Sequence, residues 1–396
     1  MDLAEAQQIE KRYLFDLYAT FRVPLVIERG EGAYVWDVDG KRYLDLVSGG
    51  RAVMALGHGH PRVVAAIREQ AGRLLHMSND FYTAPMLELS RLLGGLSACE
   101  RVWLCNSGAE ANEAAIKLAR KHAKAQWLEK TEIVAALDSF HGRTLATLAA
   151  TGQPKYSQGF EPLPGGFVHV PYNDLEAMRR AIGARTCAVM LEPVLGEAGV
   201  FPAAPGYLEG VRRLCDEAGA ALILDEIQTG LGRTGKMFAY EHYGIVPDIV
   251  TLAKALGGGV PIGAMLAREP VAAAFHPGDH MSTYSGSALP AAAAVAAVRA
   301  IIEERLVENA RRVGDYLANR LRTLPCEKAA EVRGLGCMIG VTLAEPAAAE
   351  VKRRCLEAGV LIVTVGDRIL RLLPPLILTK EQADEGFEAV AQAIMA

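Results

Sequence analysis

The sequence is poor in several things, and each shortage removes a class of function. Only 6% of its 396 residues are aromatic. No stretch approaches about 18 uncharged apolar residues, so no membrane-spanning helix is expected despite a mean hydropathy of +0.15. An excess of one charge is missing too: 42 Lys and Arg stand against 46 Asp and Glu, a net charge of −4 without blocks or tails. A nucleic-acid binder would carry a basic excess or stripe. The seven cysteines, at positions 99, 105, 187, 215, 326, 337 and 355, form no C-x-x-C pair. That argues against a zinc ribbon or a disulfide framework and for reduced thiols. The first residues, MDLAEAQQIEKRY, lack the apolar core of a secretion signal, so a cytoplasmic protein is expected. There is no G-x-G-x-x-G after a first strand and no Walker lysine motif. His58 and His60 have no nearby Cys or acidic ligands; they read as packing and turn residues, and no metal is expected.

What the chain does have is length enough for two or three domains and 39 glycines, a sign of tight turns and close backbone approaches. Residues 1–60 read as irregular, with strand-like pieces at 34–38 and 43–46 around the D-x-D-G turn at Asp37–Gly40. From about residue 61, helical patterns alternate with short apolar runs at 102–105, 133–137, 188–191, 221–224 and 249–253. Such runs, apolar throughout, suit strands of a parallel sheet covered on both faces. Beyond Pro290 one helical pattern runs to about Arg322; strand-like 338–343, a helix near 347–358 and strand-like 369–373 follow. The expected fold is α/β. A large domain (61–290) holds a mostly parallel sheet sandwiched by helices, and a smaller α+β domain is built from both termini (1–60 and 291–396).

In an open parallel sheet ligands bind beyond the carboxyl ends of the strands, so the residues following each run carry the argument. After 102–105 come Asn106, Ser107, Gly108 and Ala109, opening a helix: either an anion cradle or a plainly capped helix. After 221–224 comes Asp225, a carboxylate that needs a salt bridge or the protonated nitrogen of a heterocycle. After 249–253 comes Lys254, then a glycine-rich loop; it reads as a snorkelling lysine or a desolvated nucleophile toward carbonyls. Phe140, His141 and Arg143 follow 133–137, and Glu192 ends its own run, with Glu197 five residues on. An anion cradle, an aromatic ring, a carboxylate and an amine at successive strand ends are what pyridoxal 5′-phosphate (PLP) needs.

The sequence resembles the class III (ω-amino acid) aminotransferases of PLP fold type I, and among them acetylornithine aminotransferases most. The segments that carry the resemblance are NSGAEANEAAIKLAR (106–120), SFHGRTLATLAATGQPKY (139–156), LDEIQTGLGRTGKMFAYEHYG (224–244), PDIVTLAKALGGGVPIGA (247–264) and LRLLPPL (370–376). The resemblance implies that Lys254 carries PLP and then acts as general base, and that Asp225 pairs with the ring nitrogen. It implies Gln228 beside the ring hydroxyl, Ser107, Gly108 and Ala109 around the phosphate, and Phe140 and His141 at the ring face. Thr283 matches the threonine that reaches the neighbouring subunit's cofactor, which implies a homodimer with shared active sites. Arg371 matches the arginine for the α-carboxylate of the oxo-acid, Arg143 the one for the other carboxylate. Glu192 matches the glutamate that neutralises Arg371 while the ω-amino donor is bound, and Glu197 falls among the substrate-binding positions. The implied reaction moves the distal amino group of N-acetylornithine to 2-oxoglutarate in arginine biosynthesis. Succinylornithine, ornithine, 4-aminobutyrate or a carrier-linked amino acid as donor, or an aminomutase reaction, are the alternatives.

Three places depart from the family pattern. Ser285–Pro290 replace a GGNPLA-like segment, and Leu195 stands where glutamine is usual. In SGGRAVMALGH (48–58) there is an extra residue and an arginine, Arg51. Arg51 is expected to point into the substrate entrance and favour a donor with an added acidic group, the alternative being a surface arginine in a one-residue bulge.

Overall fold

The short apolar runs fold as buried strands because nothing in them alternates. Thr186–Leu191 and Ala221–Asp225 are buried at every position, the pattern of a sheet covered on both faces. The computed structural model describes residues 1–18, 22–126, 129–325 and 328–396; Cys326 lies outside them, and the other six cysteines are free and buried. Seven strands form the central sheet, in the order Arg101–Cys105, Gly263–Ala267, Ile249–Leu252, Ala221–Asp225, Thr186–Leu191, Glu132–Ala136, Phe167–Val170. Only Gly263–Ala267 runs against its neighbours; the rest point one way. The sheet is therefore mostly parallel, as expected. Two of its strands went unread in the sequence: Gly-Ala-Met-Leu-Ala is weak in β-branched residues, and Phe-Val-His-Val is short.

Helix Gly108–Ala125 shows how the layers join. Ala111, Ala114, Ala115, Leu118 and Ala119 recur at helical spacing and are all buried. Small side chains on that face let the helix lie close on the sheet, with its first turn at the sheet's carboxyl edge. Helices Pro61–Ala71 and Ala84–Leu96 pack on Ala288–Glu303.

The second, smaller body is made from both ends of the chain. Strands Ile27–Glu31, Tyr34–Asp37 and Arg42–Asp45 are extended by Val360–Leu361, which runs parallel to Arg42–Asp45. An antiparallel sheet of Ala329–Leu335, Met338–Leu343, Ile369–Leu372 and Val363–Val365 lies beside it. Leu44 and Leu46 share one core with Val313, Leu317, Ile339, Val390 and Ile394. The change of core falls inside helix Leu306–Arg322, whose Leu306 and Ala310 still belong to the large core. The expected single helix from Pro290 to Arg322 is two helices, Ala288–Glu303 and Leu306–Arg322. Arg305 breaks it in a left-handed conformation (φ 55°), a break no Gly or Pro announces. Among the described residues no helix is long and apolar enough to cross a membrane.

Candidate active site

The carboxyl edge of the sheet opens into a cavity of about 410 Å³. Lys254, Asp225, Arg143 and Glu197 line it, with the first turn of helix Gly108–Ala125. Ser107, extended at φ −153°, caps that helix: its hydroxyl accepts from the amide of Glu110 at 3.2 Å. Ala111 reaches back to the Ser107 carbonyl at 3.2 Å. The amides of Gly108 and Ala109 meet no acceptor among the described residues, and both residues line the cavity. Two free N–H groups at a helix N-terminus favour a phosphate. So Ser107 serves both readings of the sequence: it is a cap, and it leaves the next two donors open.

Asp225 ends its strand held by three donors. Oδ2 accepts from Asn112 Nδ2 and from His141 Nδ1, each at 2.8 Å, and Oδ1 accepts from the Ile227 amide at 3.1 Å. Asn112 is itself held by Thr251, whose hydroxyl donates to Oδ1 at 2.7 Å. Asn112 and Thr251, fully buried, were missed in the sequence. The readable signal was a polar residue on the alanine face of helix Gly108–Ala125. His141, expected at a ring face, lines the cavity, and its ring donates from Nδ1 to the Asp225 carboxylate. His141 Nε2 is buried without a partner among the described residues.

Lys254 follows Ile249–Leu252 with its backbone at φ 45°, a left-handed conformation that costs a non-glycine residue about 1–3 kcal/mol. The turn that follows is closed by Leu256 N–H to the Ala253 carbonyl at 2.9 Å and ends at Gly258 (φ 56°). Burial pushes the lysine's pKa below its ordinary value, with Glu197 and Asp225 pulling the other way. A less basic amine is more often the free nucleophile at neutral pH.

Two arginines differ in their surroundings. Arg143 is exposed, stacks 4.0 Å over the ring of Tyr156 and meets no carboxylate among the described residues. Tyr156 in turn meets Phe140 edge to face at 5.7 Å. Arg371 is fully buried (0%) and covered: Nη1 and Nη2 lie 2.8 and 3.4 Å from Oε1 and Oε2 of Glu197, and Nη1 also donates to the Gly196 carbonyl at 2.8 Å. Burial would raise the Glu197 carboxyl, but Arg371, Lys254 and Arg51 outweigh it and hold it at about 2.

This corrects the expectation for Glu192, which does not meet Arg371. Its two oxygens accept from the amides of Phe140 and Gly196, at 2.9 and 3.1 Å, and burial pushes it up to about 7 against the pull of His141. Strand Val194–Leu195 separates the two glutamates, and Glu197 lies in the turn that joins it to Phe201–Pro202, where it meets Arg371. Gln228 donates from Nε2 to Glu197 Oε1 at 3.2 Å, and its own Oε1 is buried without a partner among the described residues. Thr283 lies in an exposed turn and does not line this chain's cavity. In the departing segment, the Ser285 hydroxyl donates to the Leu104 carbonyl and Ser287 meets His76 Nδ1 at 2.7 Å. Arg51 Nη1 lies 2.5 Å from Oε2 of Glu197. His58 meets the buried Asp45 at 2.8 Å.

Glu226, next to Asp225, is buried and spent entirely on structure. It accepts from the amides of Ala239 and Tyr240, both at 2.9 Å, and from the Thr229 hydroxyl at 2.7 Å. Glu226→Gln turns an NH₂ toward one of these donors and is expected to cost about 2 kcal/mol in urea unfolding at neutral pH. A change below about 0.5 kcal/mol would mean that the loop reorganises around the amide.

The donor set fits pyridoxal phosphate: free helix amides for the phosphate, a strand-end carboxylate for the ring nitrogen, a Gln228 oxygen unpaired among the described residues and a lysine of reduced basicity, all lining one cavity. Comparison with known proteins agrees. The profile of the class-III aminotransferases matches residues 18–394. The acetylornithine aminotransferase of Methanothermobacter thermautotrophicus is 48% identical over 396 residues, covering 100% of this chain and 99% of that protein. Among solved structures, the ornithine aminotransferase of Toxoplasma gondii ME49 matches with a TM-score of 0.94 at 32% identity, covering 100% of this chain and 95% of the other. The N-acetylornithine aminotransferase of Stenotrophomonas maltophilia K279a matches at 0.83 and 41% identity, covering 96% and 98%. With the family's residues spanning nearly the whole chain, this protein belongs to the class-III aminotransferases, PLP enzymes of fold type I.

Proposed function

We propose that the chain moves the distal amino group of N-acetylornithine, or a close ω-amino acid, to 2-oxoglutarate, yielding the semialdehyde and glutamate in arginine biosynthesis. The observation that carries this reading is a pair of arginines, Arg143 open in the cavity lining and Arg371 buried behind Glu197, which lines the same cavity. A donor with one remote carboxylate needs one arginine; an oxo-diacid needs both. The names of the full-length relatives point to the same donor. PLP, bound in the cavity, supplies a carbonyl carbon for the amine and a ring that accepts electrons. Lys254 holds it and, once displaced, moves the proton at the donor's carbon; Asp225 keeps the ring nitrogen charged. Ser107, Gly108 and Ala109 hold the phosphate, Gln228 the ring hydroxyl, and Phe140 bounds the ring's space.

The same reading makes the active form a cytoplasmic homodimer in which Thr283 serves the partner's cavity. Large apolar groups support it: Phe81, Tyr82, Met281 and Tyr284 are exposed on two segments that Asn79 ties together through the Ser285 carbonyl at 2.9 Å.

The test is the visible absorption of the PLP-loaded protein on adding N-acetylornithine without an oxo-acid. Bleaching by this donor, with kcat/KM at least about tenfold above those for ornithine and 4-aminobutyrate, is expected. A band that only another ω-amino acid bleaches would overturn the donor assignment and leave the aminotransferase.

A further inference from the structure

Glu197 is held by two arginines at once. Arg371 takes it from inside, while Arg51, half-exposed at 49%, takes it from the solvent side. The two carboxylate oxygens are divided between them. Oε1 receives the short Arg371 bond of 2.8 Å and the Gln228 bond of 3.2 Å. Oε2 receives Arg51 at 2.5 Å and only the longer Arg371 contact of 3.4 Å. Arg371 has no room for a substrate carboxylate until Glu197 leaves it. A side chain only 9% exposed is costly to leave unpaired.

Arg51 does not reach Glu197 by chance of a loose surface loop. It sits in a turn, Ser48–Ala52, with four positive φ angles: Ser48 48°, Gly49 71°, Gly50 107° and Ala52 62°. Such a backbone persists only where its surroundings fix it. The buried Asp45 accepts from the amides of Val47 and Gly49, at 2.9 and 2.7 Å. The Ser48 hydroxyl donates to the Leu373 carbonyl at 2.5 Å and accepts from the buried Arg233 at 3.4 Å. Leu373 is two residues beyond Arg371, so the turn carrying Arg51 is stapled to the strand carrying Arg371. Among the described residues no other carboxylate lies within ion-pair distance of Arg51. This turn thus brings a second cation onto Glu197.

We infer that Arg51 is a positioning residue, the second seat of Glu197: it keeps that carboxylate paired while Arg371 opens to the α-carboxylate of the oxo-acid. The inference rests on the reading that Arg371 receives an α-carboxylate. An open state that retains one ion pair is populated more readily than one that strands the charge, so Arg51 sets how cheaply the oxo-acid enters.

The experiment uses PLP-loaded Arg51→Gln and Arg51→Lys with two acceptors: 2-oxoglutarate, and an ω-semialdehyde that brings no α-oxo carboxylate to Arg371. Arg51→Gln is expected to raise the KM for 2-oxoglutarate about tenfold relative to that for the aldehyde, and Arg51→Lys to restore most of the ratio. In a Glu197→Gln background the same replacement should leave the ratio where it was, because no charge remains to be seated. Equal changes for both acceptors, an unchanged ratio, or an effect that survives Glu197→Gln would overturn the inference. So would a reordering of amino donors at an unchanged acceptor ratio, which would assign Arg51 to donor selection. The ratio is taken with whichever ω-amino donor turns the wild type over. Loss of N-acetylornithine as donor would therefore sink the function assigned above and leave this test intact.

Discussion

Lys254→Ala is expected to lower transamination by at least ~10⁴-fold and to remove the visible absorbance of lysine-held cofactor. Just past strand Ile249–Leu252 the chain leaves the sheet in a left-handed turn and sends one amine into the cavity. Alanine there keeps the strained φ of 45° and the turn closed by Leu256, so the fold should survive. What disappears is the amine that the proposed function uses both to hold a carbonyl compound and to move a proton at the adjacent carbon. Burial shapes it for both tasks by favouring the uncharged amine, while Glu197 and Asp225 limit that shift. Lys254→Arg separates charge from nucleophile. A guanidinium is always protonated, so it should be as inactive as alanine. The measurement is turnover of PLP-loaded variants at saturating donor and oxo-acid, with thermal unfolding as the control for fold. Turnover of the alanine variant within about tenfold of the wild type would remove Lys254 from the chemistry.

The sheet and its chemistry-bearing edge were legible because both follow from local rules. An apolar run without alternation predicts a doubly covered strand, and ligands gather where such strands end. Asp225 and Lys254 follow directly on two such runs and line one cavity. Pairings between distant segments were not legible. Glu192 and Glu197 are the same residue type five positions apart. The one that meets Arg371 is the one in the turn between two two-residue strands, elements too short to read from the sequence. The bond from His141 to Asp225 joins residues 84 apart, and nothing local to either announces it. Arg305 breaks a helical pattern without a Gly or Pro, and Arg51 reaches Glu197 through a turn whose shape depends on Asp45, Leu373 and Arg233.

The second large effect is at Asp225. Asp225→Asn keeps the shape and removes the charge, and is expected to lower kcat ~10²- to 10³-fold with little change in donor KM. Three donors converge on this carboxylate: Asn112, His141 and the Ile227 amide. An amide in its place must turn its NH₂ toward one of these N–H groups or into the cavity. Either way it loses the charge that, on the proposed function, holds a proton on the ring nitrogen. The proposed function assigns binding to other groups, the helix amides of Gly108 and Ala109 and the two arginines, so affinity should hold while turnover falls. His141 and Asn112 act through Asp225: His141→Gln removes one charge-assisted donor and should cost about tenfold in kcat, far less than losing the carboxylate itself. The order of the two effects is the informative part. If His141→Gln were as damaging as Asp225→Asn, the imidazole would be taking part in the proton transfers itself. Its buried, unpaired Nε2 would then need a partner that substrate brings. If Asp225→Asn kept kcat within about tenfold, the ring nitrogen would not depend on this charge, and the reading of the strand-end carboxylate would fall with it.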